Sequence, residues 1–481
     1  MLLGFVLAYW VVSVAIGIWA AMRVKTTADF AVAGRALPFH MVVAVVFATW
    51  FGSEAVLGIP AIFINEGLSG IVADPFGASL CLILFGLLLA RPLYRKKLLT
   101  IGDFYRQRYG RAVEVLTTLA IVASYLGWVG AQITALGLVF NVVSGGGISQ
   151  TAGMYIGCAS ILIYTLFGGM WSVAVTDLIQ MIVIVIGMLY IAWDISGQVG
   201  GAGVVIDAAN QAGLLTFFPD GVSIVAMLGF IAALCTMMLG SMPQQDVFQR
   251  VTSSKTETIA VWATVIGGVL YFCFAFVPLF LGYSATLIAP DLVKQYIDED
   301  SQQILPQLVM QHAPLVTQIL FFGALLSAIK SCASATLLAP SVTFAENILR
   351  PMIRDINDRK MLRLMQAVVL GFTVLVMIYS LNTDASIFHM VENAYKVTLV
   401  TAFVPLVFGL FWSRATRQGA LGAILCGFIV WVLCERFAAD AVIQPQLAGL
   451  LAGITGMLLG SLLPQWISDL TAEERKHSIA L

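Results

Sequence analysis

Two polar interruptions hold the residues of this sequence best suited to chemistry. Ala48-Thr49-Trp50-Phe51-Gly52-Ser53-Glu54 breaks an apolar run that resumes past Gly58 and Pro60, and Gly240-Ser241-Met242-Pro243-Gln244-Gln245 breaks another. Together they offer an indole, hydroxyls, carboxamides and a carboxylate, groups that hold a polar solute by stacking, hydrogen bonding and charge. Metal chemistry finds no support, because His40, His312, His389 and His477 are scattered. Cys81, Cys158, Cys235, Cys273, Cys332, Cys426 and Cys434 all fall in apolar stretches with no C-x-x-C pair. Neither a zinc site nor a disulfide framework follows, and these cysteines read as small buried hydrophobes. The chemistry expected is binding: not an enzyme, and no cofactor.

The elements that position these residues are membrane spans. Of 481 residues, 60% are hydrophobic and 11% charged, against about 25% charged in soluble domains. Mean hydropathy is +0.95. With 25 basic and 26 acidic residues there is no positive field for phosphates, so nucleic acid is excluded as a partner. A span needs about 20 apolar residues. Thirteen candidates satisfy this, near 2–22, 40–64, 72–92, 112–142, 151–168, 174–197, 222–243, 257–283, 314–348, 364–382, 386–412, 418–436 and 445–463. The first lacks a basic n-region and a small-residue cleavage site, so it reads as a retained helix. With the N-terminus outside, 21 of the 25 Lys and Arg fall in cytoplasmic segments; the positive-inside rule thus selects N-out, C-in. The lipid bilayer of the plasma (inner) membrane is the expected location. No composition shift marks a second domain, and residues beyond 463 are too few for an attached catalytic module. A single transmembrane domain over 1–481 is expected, with no obligate protein partner evident. The acidic outer segment 284–313 is expected to fold over the mouth.

Glycine and proline are common in membrane helices, so either break alone is ambiguous. Two breaks five spans apart point further, since unwound backbone at membrane depth survives only where it is buried or lines a cavity. That is the signature of an inverted-repeat transporter with a midplane site. The halves are spans 2–6 (about 40–197) and 7–11 (about 222–412). Segments 2–22, 418–436 and 445–463 are additional.

At these residues the chain resembles the sodium/solute symporter family. Asp29-Phe30 with Ala33-Gly34-Arg35-Ala36-Leu37-Pro38 is similar to the family's D-F…A-G-R-x-L-P loop, and Tyr164-Thr165 with Gly168-Gly169, Thr176-Asp177 and Gln180 to its Y-T-x-x-G-G…T-D…Q segment. Pro243-Gln244-Gln245-Asp246-Val247-Phe248-Gln249-Arg250-Val251 resembles the choline-transporter branch, and Phe411-Trp412-Ser413-Arg414 with Gly419-Ala420 the proline branch. The resemblance implies an all-α membrane protein with a LeuT-type core of five plus five helices, two of them broken. It implies symport of a small solute with sodium.

The same resemblance implies a sodium site of the Ala48, Phe51 and Ala328 carbonyls, with Ser331 and Cys332 at positions usually hydroxylic and the Asp177 carboxylate nearby. Ala328, Ser331 and Cys332 share a helix face, although a thiol is a soft ligand for a hard cation. Lys330, inside the same span, is costly in hydrocarbon. It is a candidate for proton coupling (H+ in place of Na+), or a structural lysine paired with a carboxylate. Helix phase sets it roughly 150° from the Ala328/Ser331/Cys332 face, on a stripe with Ser327, Ser334 and Ser341. Lys396 has Glu392 at i−4 to neutralise it.

For the solute, Trp50 and Trp128 match two positions of the choline branch's aromatic cage, whereas Ala78 and Gln244 stand where that branch has tyrosine and tryptophan. The candidate contacts are Trp50, Ser53, Glu54, Trp128, Gln244 and Gln245. Glu54 either faces an ammonium group or accepts hydrogen bonds from its own broken helix, and Trp128 either lines the site or packs against core or lipid. Asp74 is placed at the outer interface with no special role. A small amino acid or amine fits this set better than choline or a sugar. Beside an ion-coupled symporter stands a second class, a transporter-like sensor that binds solute without moving it.

Overall fold

A computed structural model describes residues 1–219, 223–353, 355–439 and 441–468. Among these there is no strand; one isolated bridge joins Leu37 and Ser254. Ten helices are long and apolar enough to cross a bilayer, and two bent helix pairs add two more spans. The helix Gln150–Gln198 has 49 residues with non-helical backbone at Gly169. At 1.5 Å per residue it is about 70 Å long, twice a bilayer core, and so makes two spans.

Thirteen spans result, as expected from the hydropathy pattern. They are α1 (Leu2–Ala21), α2 (Phe39–Trp50 with Glu54–Gly70), α3 (Val72–Arg95), α4 (Arg111–Val143), α5 (150–168) and α6 (170–198). There follow α7 (Ile224–Gly240 with Gln245–Ser253), α8 (Glu257–Ile288), α9 (Leu315–Met352), α10 (Asp358–Leu381), α11 (Ile387–Phe411), α12 (Arg417–Phe437) and α13 (Pro445–Leu462). The expected tail beyond 468 lies outside the described residues. In the acidic outer segment the short helices Pro290–Tyr296 and Ile304–His312 form. They are joined to the start of α11, whose Ile387 N donates to Gln302 Oε1 at 2.8 Å.

Both breaks fall where the sequence places them. The first half of α2 ends as Phe51 leaves helical geometry at φ −89°, ψ 72°. The second half, bent by 54°, starts with a wide turn over Glu54–Gly58, just ahead of Pro60, which has no N–H to give to a regular ladder. In α7 the 45° bend sits at Pro243, and Gln244 is extended at φ −70°, ψ 141°. Not every cysteine is buried as expected: Cys235 and Cys434 are half-buried, and Cys273 and Cys426 lie on the exposed surface of their spans. A thiol is apolar enough for hydrocarbon, so burial was not required of it.

The motif-bearing loop between α1 and α2 is pinned from three sides. Thr26 and Asp29 form a reciprocal cap on its short helix, Arg35 donates to Leu98 O at 2.9 Å, and Gln249 Nε2 donates to Ala31 O. The α5–α6 hinge closes against it: Gly169 has φ +46°, and a Cβ there would come within 2.4 Å of Phe30 O. Gly169→Ala therefore meets both a backbone region reserved for glycine and a main-chain clash. We expect it to lower thermal stability by at least about 1–3 kcal/mol, read as a fall in Tm and in the folded fraction on size exclusion.

Candidate functional site

The break in α2 frees backbone groups that hydrocarbon cannot satisfy, and α4 supplies the repair. Ser53 N, which in an unbroken helix would bond to Thr49 O, donates instead to Gln132 Oε1 at 2.9 Å. The other end of that carboxamide donates to Glu54 Oε2 at 2.7 Å, and Trp128 Nε1 donates to Glu54 Oε1 at 3.2 Å. Glu54 is thus a buried carboxylate held by two side chains one helical turn apart. No basic group is within ion-pair distance of it among the described residues.

Around Glu54 stands an aromatic wall. Trp50 meets Trp128 edge-on at 5.8 Å between ring centroids and stacks on Tyr395 of α11 at 6.2 Å. Trp128 also touches Tyr395 at 5.4 Å and stacks on Tyr125 at 5.9 Å. Tyr395 Oη is buried without a hydrogen-bond partner. The rings pack on one another, so in this conformation the wall is closed on itself.

From α7, Gln244 reaches the same region: its Nε2 donates to Ser124 Oγ at 2.9 Å and Thr398 Oγ1 at 3.3 Å. Thr398 in turn donates to Gly240 O at 2.7 Å. Below the wall, Tyr125 Oη donates to Asp246 Oδ1 at 2.5 Å. Arg250, one turn on, donates to Asp246 O at 2.9 Å and to Thr49 Oγ1 at 3.2 Å.

Part of the expected ion face also comes together. Gly52 is pressed so closely on α9 that a Cβ would lie 2.8 Å from Cys332 Sγ and 2.7 Å from Glu54 Oε2. Ser331 Oγ donates to Asp177 Oδ1 at 2.6 Å. Ala48 and Phe51 belong to the last turn of the first half of α2, where carbonyls run out of helical donors.

Five of the six expected solute contacts, Trp50, Ser53, Glu54, Trp128 and Gln244, meet in one place. Gln245 does not join them: its Oε1 accepts from Ile101 N at 2.8 Å, at the cap of the short helix Ile101–Tyr109. Gln244 is still extended while Gln245 opens the helix, and the two amides point to different partners, so only Gln244 reaches the wall. Lys330 keeps the orientation given by helix phase, but among the described residues it has no carboxylate within ion-pair distance, contrary to the expected alternative. Its ammonium donates to Ser13 Oγ on α1. Asp74 needs correction too: it is buried, and accepts from Tyr271 Oη at 2.5 Å, whose ring packs on Phe51. Lys396 lies 3.9 Å from Glu392, as expected.

Tyr395, Gln132, Tyr125, Ser124, Thr398, Asp246 and Arg250 were not singled out from sequence. The i, i+4 spacing of Trp128 with Gln132 was the available signal.

Paired broken helices, an aromatic wall and a buried carboxylate at their junction define a membrane transporter of the LeuT fold. The family model for the sodium:solute symporter family matches residues 30–427, and the chain belongs to that family, whose members transport solutes and are not enzymes. It is 26% identical over 447 residues to the human high affinity choline transporter 1, covering 88% of this chain and 75% of that protein. To the high-affinity proline transporter PutP of Bacillus subtilis (strain 168) it is 24% identical, covering 95% and 97%. A solved Na+-coupled sialic acid symporter superposes with a TM-score of 0.83 at 19% identity, covering 98% of this chain and 99% of that one.

Since Gln245 anchors Ile101 N, Gln245→Ala leaves a buried N–H without its acceptor. Stability is expected to fall by about 1–3 kcal/mol while solute affinity is unchanged, as read by thermal unfolding and ligand titration on the same sample.

Proposed function

We propose that the protein is a sodium-coupled symporter that imports a small ammonium-bearing solute, an amino acid or an amine. The observation that carries this reading is the Glu54 carboxylate held by Trp128 and Gln132 within the wall of Trp50, Trp128 and Tyr395. An ammonium group gains from ring faces by cation–π attraction and from the carboxylate by a charge-assisted hydrogen bond. Tyr395 and Tyr125 restore aromatic surface where Ala78 and Gln244 thin it, and Gln244 adds a polar edge. Relatives named for choline and proline transport support the same solute class.

Sodium sits, on this reading, between the halves of α2 and α9, bound by the carbonyls of Ala48, Phe51 and Ala328 and by Ser331. Cys332 completes the face as a weak ligand, and Asp177, bonded to Ser331, supplies negative charge. The direct proton-coupled alternative is disfavoured, because Lys330 points away from this face toward α1. The bundle built around the two broken spans rocks to open the site inward, and joint occupancy favours closure by a shared free energy of about 1–3 kcal/mol. The N-terminus faces outside and the C-terminus the cytoplasm of the plasma (inner) membrane, following the basic residues.

Uptake of radiolabelled amino acids and amines into proteoliposomes tests the reading. Accumulation against a gradient, driven by inward sodium, is expected for one of these solutes. Binding without accumulation identifies a sensor, and flux indifferent to the ion gradient a passive pore. Glu54→Gln removes one charged hydrogen bond of about 1.5–3 kcal/mol, so ammonium-solute affinity is expected to fall about 10- to 100-fold. Cys332→Ser exchanges a soft ligand for a hard one. It is expected to tighten sodium binding about fivefold, equivalent to a contact of about 1 kcal/mol, measured by sodium titration of Tm.

A further inference from the structure

Between α4, α9 and α10 the surface of the spans is concave. A groove of about 380 Å³ lies there, and every wall is apolar: Val122 of α4, Leu349 of α9 and Leu364, Ala367, Gly371 and Leu375 of α10 are among its lining. Ala367, Gly371 and Leu375 are exposed, so the groove is open to hydrocarbon along its length. A Cβ added at Gly371 would meet nothing within 4 Å; the missing side chain is part of what keeps the groove deep. From Leu364 to Leu375 the lining runs about 16 Å at 1.5 Å per residue. That is the depth of one leaflet of a hydrocarbon core about 30 Å thick. An apolar space of this kind excludes water and takes apolar ligands.

One end of the groove is basic. α10 opens with Asp358-Arg359-Lys360-Met361-Leu362-Arg363. Arg359, Lys360 and Arg363 are exposed and form no ion pair among the described residues. Lys360 precedes Leu364 by one turn and Arg363 precedes Ala367 by one turn, which sets the first on the groove's face of the helix and the second at its flank. Of the acids in this turn, Asp355 comes before the helix, and Asp358 accepts from Thr27 N at 3.3 Å in the loop after α1. Arg350, at the end of α9, is already paired with Glu346. Long basic side chains at the end of a span reach headgroup level, where they attract anionic lipid. A smaller apolar groove of about 210 Å³ beside the helix Ala202–Gln211 lacks this feature, since that helix carries Asp207 and no Lys or Arg.

We propose that the groove binds one anionic phospholipid, with an acyl chain between α4, α9 and α10 and its phosphate on Lys360 and Arg363. On the proposed topology this is a lipid of the cytoplasmic leaflet. The groove shares no residue with the candidate solute and ion sites. Close by, Asn347 Nδ2 donates to Asp103 Oδ1 and to Glu114 Oε1, both at 2.9 Å, tying the end of α9 to α4 through polar groups. The lipid adds α10 to that pair, so that the three spans act as one support.

The test is thermal unfolding of the delipidated full chain in neutral detergent, titrated with phosphatidylglycerol, with phosphatidylcholine of the same acyl chains, or with glycerol 3-phosphate. A saturable rise in Tm is expected with phosphatidylglycerol, at least about tenfold weaker with phosphatidylcholine, and none with glycerol 3-phosphate. The double variant Lys360→Gln, Arg363→Gln is expected to weaken phosphatidylglycerol about 30-fold, equivalent to about 2 kcal/mol for two basic residues at about 1 kcal/mol each. Gly371→Leu projects into the groove without meeting protein atoms at its Cβ. It is expected to keep at least the wild-type Tm in detergent alone and to lose the phosphatidylglycerol response. Equal responses to the two phospholipids overturn the proposal, and so does a rise in Tm with glycerol 3-phosphate that matches phosphatidylglycerol. A Gly371→Leu chain that keeps the wild-type response, or a double variant that keeps wild-type affinity, overturns it as well.

Discussion

A helix broken inside hydrocarbon must have its freed backbone groups taken up by protein, because no water is there to do it. This constraint organises the centre of the molecule. Ser53 N, released by the break in α2, is taken by Gln132 of α4; Gly240 O, at the break in α7, is taken by Thr398 of α11. Both repairing residues belong to unbroken stretches of helix. Each also lies one turn from an aromatic: Gln132 follows Trp128 by four residues, and Thr398 follows Tyr395 by three. On a helix those spacings share a face. The residues that make the breaks tolerable are therefore on the same faces as the rings that wall the site, and α4 and α11 could not present one without the other.

Glu54 ties this repair to the expected ion face. Its carboxylate is oriented by Gln132 and Trp128, and Gly52 sets it directly against Cys332 of α9. Only a residue without a side chain allows that approach, since an added Cβ would lie within 3 Å of both Sγ and Oε2. Solute and ion thus share a boundary made of three residues, on the proposed reading. A movement of α2 that admits one alters the surroundings of the other, which is the structural requirement for coupling.

Much of this was legible in the sequence because membrane helices tolerate few exceptions. Trp50–Glu54 and Gly240–Gln244 stood out as polar and small residues inside long apolar runs, and both mark true bends. The side of α9 on which Lys330 lies followed from helix phase alone. The rest of the site was hidden for physical reasons. Tyr395 sits in a segment already rich in polar residues, so one more aromatic gave no contrast. Asp246 and Arg250 continue the motif of α7, yet their burial depends on Tyr125 and Thr49, which are distant in sequence. Gln244 and Gln245 are chemically identical neighbours, and only tertiary packing decides which faces the rings. Asp74 reads as an interfacial carboxylate in the sequence, because Tyr271, which covers it, is 197 residues away.

The loop between α1 and α2 carries a motif that touches neither rings nor ion face, and its placement gives the reason. Leu37 N donates to Ser253 O at 3.0 Å and Lys255 N donates to Leu37 O at 3.0 Å, while Gln249 bonds to Ala31 O. The entrance to α2 is thereby stitched to the exit of α7, and Arg250 reaches from that exit to Thr49, beside Trp50. The two broken spans are joined at this end as well as at their bends. On the proposed reading, a rearrangement that opens the site carries their stitched halves together, with Gly169, packed under Phe30, at the edge of that unit. Rocking of a paired bundle against α4, α5 and α9 satisfies that requirement; independent hinging of α2 alone would have to break the stitching first.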